Sequence, residues 1–151
     1  MSALQGQCRP LCFFVAGVPV TQGSKTVMLS RHRDLAKRKP IMLDANRNQL
    51  HSWRDAVGAE ARRRCSTLTA AAVDLSLVFL LPKPVSRPKR DTVPIAKRSG
   101  DLDKLMRAVM DALTGVYYCD DAQVSDARLK KRWAPPGEQP GVWVWVGEAT
   151  P

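Results

Sequence analysis

The chain has 151 residues, 44% of them apolar and 25% charged, and its 24 Lys and Arg against 14 Asp and Glu give a net charge of +10. That length supports one compact α/β (mixed α+β) domain spanning residues 1–151, a mixed sheet flanked by helices, and excludes two ordinary domains. The basic surface points to a polyanionic partner, nucleic acid first, and by itself does not separate DNA from RNA.

The charge is unevenly placed. Residues 1–99 carry 18 Lys and Arg against 6 Asp and Glu, whereas residues 100–151 carry 6 against 8. A basic surface that holds phosphates around a local group of carboxylates that holds divalent cations would produce this asymmetry. Cys8, Cys12, Cys65 and Cys119 lack the C-x₂-C spacing of a zinc site and are too few for a disulfide scaffold, which points to reduced thiols in the cytoplasm.

In chain order, residues 11–16 predict an opening strand, which ends at Gly17 and Pro19. The apolar run 11–20 is too short to span a bilayer, and Pro19 argues against a signal peptide. A polar loop then follows, where Ser24 and Lys25 can touch phosphate. Residues 30–40 are rich in Arg and Lys without an apolar period and read as a surface segment. Leu50, Trp53, Ala56, Val57 and Ala61 recur at helical spacing and predict a helix over residues 49–64 that ends in three arginines.

Val73, Leu75, Leu77, Phe79 and Leu81 alternate as a half-buried strand that Pro82 stops. Residues 82–99 form a long basic loop with several prolines, in which Lys89, Arg90, Lys97 and Arg98 can meet a DNA backbone. From Gly100 the sequence predicts a helix with Leu102, Leu105, Met106, Val109 and Leu113 on one face and Gly115 as its stop. Its polar stripe, Asp103, Arg107 and Asp111, is consistent with nothing more than two surface ion pairs.

Asp101 and Asp103 are two apart, so on a regular helix they point to different sides. If Asp101 belongs to the extended entry and Asp103 opens the helix, their carboxylates converge at the helix N-terminus. Residues 116–119 read as a strand returning alongside that helix, which would land Asp120 and Asp121 beside Asp101 and Asp103. Carboxylates gathered in that way call for a cation with all-oxygen ligation, Mg²⁺ or Mn²⁺.

Two further strands complete the reading. Residues 124–133 carry Arg128, Lys130, Lys131 and Arg132, which can track a DNA backbone or simply face solvent. Residues 142–146 alternate valine and tryptophan, so two indoles share one face, for core or dimer packing or for base stacking. Tyr117 and Tyr118 are expected to straddle the return strand, one packed inward and the other toward DNA, and residues 147–151 to be a loose tail.

The blocks Asp-Leu-Asp-Lys-Leu at 101–105, Asp-Ala-Leu-Thr-Gly at 111–115 and Asp-Asp-Ala-Gln-Val at 120–124 resemble, in the same order, the signature of the RusA family of crossover-junction endodeoxyribonucleases. Gly17, Val18 and Pro19 followed by residues 22–25 are similar to the family's N-terminus. The resemblance implies a homodimer of mixed α/β subunits that resolves four-way (Holliday) DNA junctions by paired Mg²⁺-dependent incisions, in recombination or repair. It assigns Asp101, Asp103 and Asp121 as catalytic metal ligands, with Asp120 and Lys104 close behind them.

Two departures stand out: where the family usually has an asparagine after the second aspartate and a catalytic lysine one turn beyond it, this chain has Lys104 and Arg107, and Arg107 keeps the charge but does not readily give up a proton. Lys104 can substitute in part. Two other functions stay open from sequence, a general nuclease for flaps or other branched DNA, and a branched-DNA-binding protein that does not cut.

Overall fold

A computed structural model describes residues 8–23, 33–38, 47–95 and 99–151, together with the backbone of 25–29 and 40–44. Six strands and two helices follow in the order β1 (Leu11–Ala16), β2 (Lys25–Leu29), β3 (Pro40–Asp44), α1 (Arg47–Arg62), β4 (Val73–Leu81), α2 (Leu102–Leu113), β5 (Val124–Trp133) and β6 (Gly141–Glu148). The fold is mixed α/β. A four-stranded sheet has the order β1-β6-β4-β5, and β2 and β3 form a separate antiparallel pair.

The sheet is mixed because of one connection. β4 leads through α2 to β5, which lies parallel to β4, while β6 runs antiparallel to both of its neighbours, β1 and β4. A parallel pair needs a crossover of this kind, and the amphipathic α2 supplies it. α2 therefore runs antiparallel to the strands it joins, and its N-terminus lies at the edge where β4 and β5 end.

Alternation decides which sheet face is covered. Phe13 and Val15 of β1, Val142, Val144 and Val146 of β6, and Val73, Leu75, Leu77 and Phe79 of β4 are all buried. They form one core with Leu50, Trp53, Val57 and Ala61 of α1 and Leu105, Ala108, Val109 and Leu113 of α2. Each such aliphatic or aromatic side chain removed from water contributes about 1.5–3 kcal/mol. The indoles of Trp143 and Trp145, on alternate positions of β6, stay in solvent on the other face.

The strand expected over residues 73–81 and the helix expected from residue 102 match β4 and α2. α1 begins two residues earlier than its apolar period and ends at Arg62, with Arg63 and Arg64 in the turn beyond. The expected polar loop gives way at Lys25 to β2, and within the segment expected to be irregular a short 3₁₀ turn covers Leu35–Lys37 before β3 begins. Residues 147 and 148 belong to β6 and the Ala149 N–H donates to the Ala72 carbonyl at 2.7 Å, so the C-terminal end is tied to the sheet rather than loose.

The return strand expected at residues 116–119 is not there. The N–H groups of Val116 and Tyr117 both donate to the Leu113 carbonyl, and the Gly115 N–H donates to the Tyr118 carbonyl. Gly115, at φ +76°, makes this tight turn possible. Both tyrosines are fully buried, so neither faces DNA. Their hydroxyls donate to the carbonyls of Arg9 and Met110. The chain turns at the end of α2 and travels back only as β5.

Candidate active site

The N-terminus of α2 is built from its flanks. Asp101 occupies the N-cap with extended backbone (φ −81°, ψ 139°), and Asp103 lies in the first turn. An N-cap aspartate ordinarily accepts hydrogen bonds from the N–H groups of that turn. The Asp101 side chain makes no such bond, is 66% exposed, and has the Lys104 ammonium 3.4 Å away. Two carboxylates thus stand at an exposed helix N-terminus, the first in the extended entry and the second in the helix, as their spacing predicts.

The entry to this pair is held firmly. Gly100 adopts φ +82°, and a Cβ there would lie 2.5 Å from the Thr21 Cγ2 atom, so glycine is required twice over. The Lys131 ammonium of β5 donates to the Gly100 carbonyl at 2.7 Å and to the Ser99 hydroxyl at 3.0 Å. From the other side, the Gln22 N–H donates to the Lys104 carbonyl at 3.1 Å, which sets the loop after β1 against the first turn of α2. Sequence reading placed Lys131 only in a run of strand cations; its inward position in β5 was the available signal.

Asp121 lies elsewhere. The 3₁₀ turn Asp121–Gln123 is capped by Asp120, whose carboxylate accepts from the Ala122 N–H while the Gln123 side chain accepts from the Asp120 N–H. Gln123 also donates to the Thr69 and Ala71 carbonyls, anchoring the turn beside the start of β4. A hydrogen bond with the Asp120 carboxyl, followed by slight desolvation and the charges of Asp120 and Asp111, raises the Asp121 pKa. Asp120 is a turn former, and the acidic neighbours of Asp121 are Asp120 and Asp111.

The expected convergence of Asp121 with Asp101 and Asp103 in one chain is therefore overturned. Ten residues of helix between Asp101 and Asp111 rise about 15 Å. The strand that does return reaches Gly100 only at Lys131, seven residues and roughly 23 Å beyond its start at Val124. Among the described residues, no three His, Cys, Asp or Glu side chains form a metal-binding group.

The polar stripe of α2 also resolves differently from two ion pairs along one helix. The Asp111 carboxylate accepts from Arg54 of α1 at 2.6 Å, and the same guanidinium donates to Gln22 at 2.7 Å. Arg107 is left exposed, one turn past Asp103, with no ion pair among the described residues.

The other cations expected to meet DNA lie on the loop before α2 and on β5. Lys89 and Arg90 are exposed in the loop that joins β4 to α2. That loop is folded on itself where the Lys83 ammonium donates to the Lys89 and Asp91 carbonyls. Arg128 and Lys130 are exposed on β5, on the sheet face that the helices leave open. Ser24, Lys97 and Arg98 lie outside the described residues, and of Lys25 only the backbone is described, as the first residue of β2. All four cysteines are free, and among the described residues no helix is long and apolar enough to cross a membrane.

A basic surface with two exposed carboxylates at a helix N-terminus is an arrangement suited to phosphodiester chemistry. The chain is 27% identical over 145 residues to a Bacillus subtilis (strain 168) protein named Uncharacterized protein YqaN, a match covering 91% of this chain and 96% of that one. The family model described as Endodeoxyribonuclease RusA matches residues 26–146, which run from within β2 to within β6 and include both helices. The chain belongs to the RusA endodeoxyribonuclease family, whose members act on branched DNA.

Proposed function

We propose that this protein is a Mg²⁺-dependent endonuclease that resolves four-way DNA junctions by paired incisions, working as a homodimer in DNA recombination or repair. The observation that carries the reading is the placement of Asp101 and Asp103 at the exposed N-terminus of α2, with the Asp101 carboxylate not used for capping. Mg²⁺ is commonly held by one or two carboxylates together with waters and substrate phosphate, and this pair fits that habit. Mn²⁺ suits the same oxygen ligands.

Asp101 and Asp103 would hold the metal ion against the scissile phosphate. When bound, the ion supplies an activated water and offsets the charge developing on the phosphate. Lys104 and Arg107 follow on the first two turns of the same helix and steady the phosphate oxygens, a task that a guanidinium performs without releasing a proton. Lys89 and Arg90 of the preceding loop guide the DNA backbone toward the edge, and Arg128 and Lys130 hold it on the sheet. Ser24, Lys25, Lys97 and Arg98 are proposed for the same backbone on sequence grounds alone.

The third family position, Asp121, follows the C-terminal end of α2, the end opposite the Asp101 and Asp103 of its own chain. A homodimer resolves the conflict if each subunit's Asp121 completes the site of the other. Free cysteines suit the reducing cytoplasm in which such an enzyme would act.

The test is cleavage of a labelled four-way junction beside matched linear duplex, flap and single strand, with and without Mg²⁺. Paired nicks that need Mg²⁺ and vanish in Asp103→Asn are the expected result. Full activity in that variant removes Asp103 from the site. Tight junction binding without cutting in either metal supports the second reading, a binding protein, which the exposed arginine at position 107 favours.

A further inference from the structure

The sheet face opposite the helices carries, beside the Arg128 and Lys130 already placed along the DNA backbone, two exposed indoles that this role does not use. Trp143 is 37% exposed and Trp145 is 40% exposed, with ring centroids 5.9 Å apart and planes inclined by 24°. Phe14 of β1 lies 5.1 Å from Trp143 at a tilted angle. Packing of this kind holds the rings in place, yet both indoles keep surface in water, a position large aromatic side chains usually leave for a core or a partner.

Strand register sets cations opposite these rings. Across β1, β6, β4 and β5 one row reads Phe14, Trp143, Val78, Lys130, and the neighbouring row reads Cys12, Trp145, Ser76, Arg128. Each row runs from ring to cation over two strand spacings, about 10 Å, and the rows are about 7 Å apart along the strands. Lys130, Arg132, Val78 and both indoles line one shallow depression of about 360 Å³. The acids of this face, Asp74 and Asp126, are paired in the row beyond Arg128, away from the edge at which Asp101 stands.

We propose that this open sheet face binds unpaired single-stranded DNA, with bases stacked on Trp143 and Trp145 and phosphates held by Arg128, Lys130 and Arg132. Choosing DNA as the polymer rests on the nuclease reading above. Exposed π-faces beside a line of positive charge are what a strand with free bases requires and what a duplex, whose bases are already stacked, cannot use. The acidic row bounds the track at one end, so the strand leads toward the edge that holds Asp101 and Asp103.

The experiment is fluorescence anisotropy of a short labelled thymidylate oligomer with the full chain in EDTA, with blunt duplex as competitor. Trp143→Ala/Trp145→Ala is expected to weaken binding roughly tenfold or more. The exposed pair Lys130→Gln/Arg132→Gln, which does not bear on the core, is expected to reduce the logarithmic salt slope by about 1.4. Unchanged oligomer affinity in the tryptophan variant overturns the proposal, as does an unchanged salt slope in the Lys130/Arg132 variant. Sedimentation showing that the tryptophan variant dissociates a dimer yet keeps its oligomer affinity assigns the face to a second copy instead. A parent that binds the oligomer but cuts no junction defeats the nuclease reading and leaves the platform standing.

Discussion

The ammonium of Lys131, near the C-terminal end of β5, donates to the carbonyl of Gly100 at 2.7 Å, so the residue that introduces Asp101 is tied to the sheet. A charged hydrogen bond of this kind contributes about 1–2 kcal/mol when half-buried. Lys131→Met is expected to lower stability by that amount. Junction cleavage should fall about tenfold in kcat with smaller change in KM, because the entry to Asp101 loosens while the DNA-binding cations remain. Steady-state kinetics beside a denaturation curve checks both parts.

Gly100→Ala tests the same hinge from the backbone. A side chain at φ +82° with its Cβ 2.5 Å from Thr21 carries strain of about 1–3 kcal/mol. The expected outcome is a lowered thermal midpoint and loss of cutting. An alanine variant with parental stability would show that the loop after β1 gives way freely.

Mixing two inactive variants separates the possible origins of the third carboxylate. Equal amounts of Asp103→Asn and Asp121→Asn, combined under conditions that exchange subunits, are expected to recover nicking, since one site of each heterodimer keeps both native residues. If both residues act within one chain, every subunit of the mixture is defective and no activity returns. The readout is the appearance of single nicks on a labelled junction.

Alkaline titration reports on the turn after α2. Desolvation by burial, helped by negative charge at Cys8 and Glu148, pushes Tyr117 up to about 12, and burial with the Asp121 charge pushes Tyr118 up as well. An acid with a raised folded pKa adds stability that is whole below its unfolded value, near pH 10, and is lost as pH rises toward the folded value. Tyrosinate absorbance should therefore stay flat past pH 10 and rise together with loss of helical circular dichroism. A rise near pH 10 in a chain that is still folded would place a tyrosine in solvent.

The Arg54–Asp111 pair, 2.6 Å across the α1–α2 contact, gives a further check. Both side chains are partly exposed, so Arg54→Gln is expected to cost about 1 kcal/mol or less, measured by chemical denaturation.

Where local pattern and tertiary burial agree, the sequence was legible. The period-two run of β4 and the apolar face of α2 each state which side faces the core, whereas the alternation of β6 leaves the choice between valines and indoles to the packing, which buries the valines. The spacing of Asp101 and Asp103 offered a helix or an extended entry, and the structure takes the second, with Asp101 at the N-cap and Asp103 in the first turn. The failure at 116–119 came from reading four β-prone residues as a strand, when Gly115 and two buried tyrosines make them a turn. Because that turn keeps Asp120 and Asp121 at the far end of α2, the expected carboxylate cluster dissolved with it. Arg54 could not be paired with Asp111 from sequence, since 57 residues separate them and only the packing of α1 on α2 joins them.

Among the described residues, β5 is a ten-residue strand that pairs with β4 on one side and meets no strand on the other, where the Trp133 N–H donates to the Thr92 carbonyl at its end. Long open strands of this sort recruit other chains into sheets unless charge keeps them apart. Asp126, Arg128, Lys130 and Arg132 supply that protection along β5. Neutralising several of them together, whatever it does to DNA, would leave a strand prone to edge-to-edge pairing, and the first visible sign would be precipitation of a still folded protein.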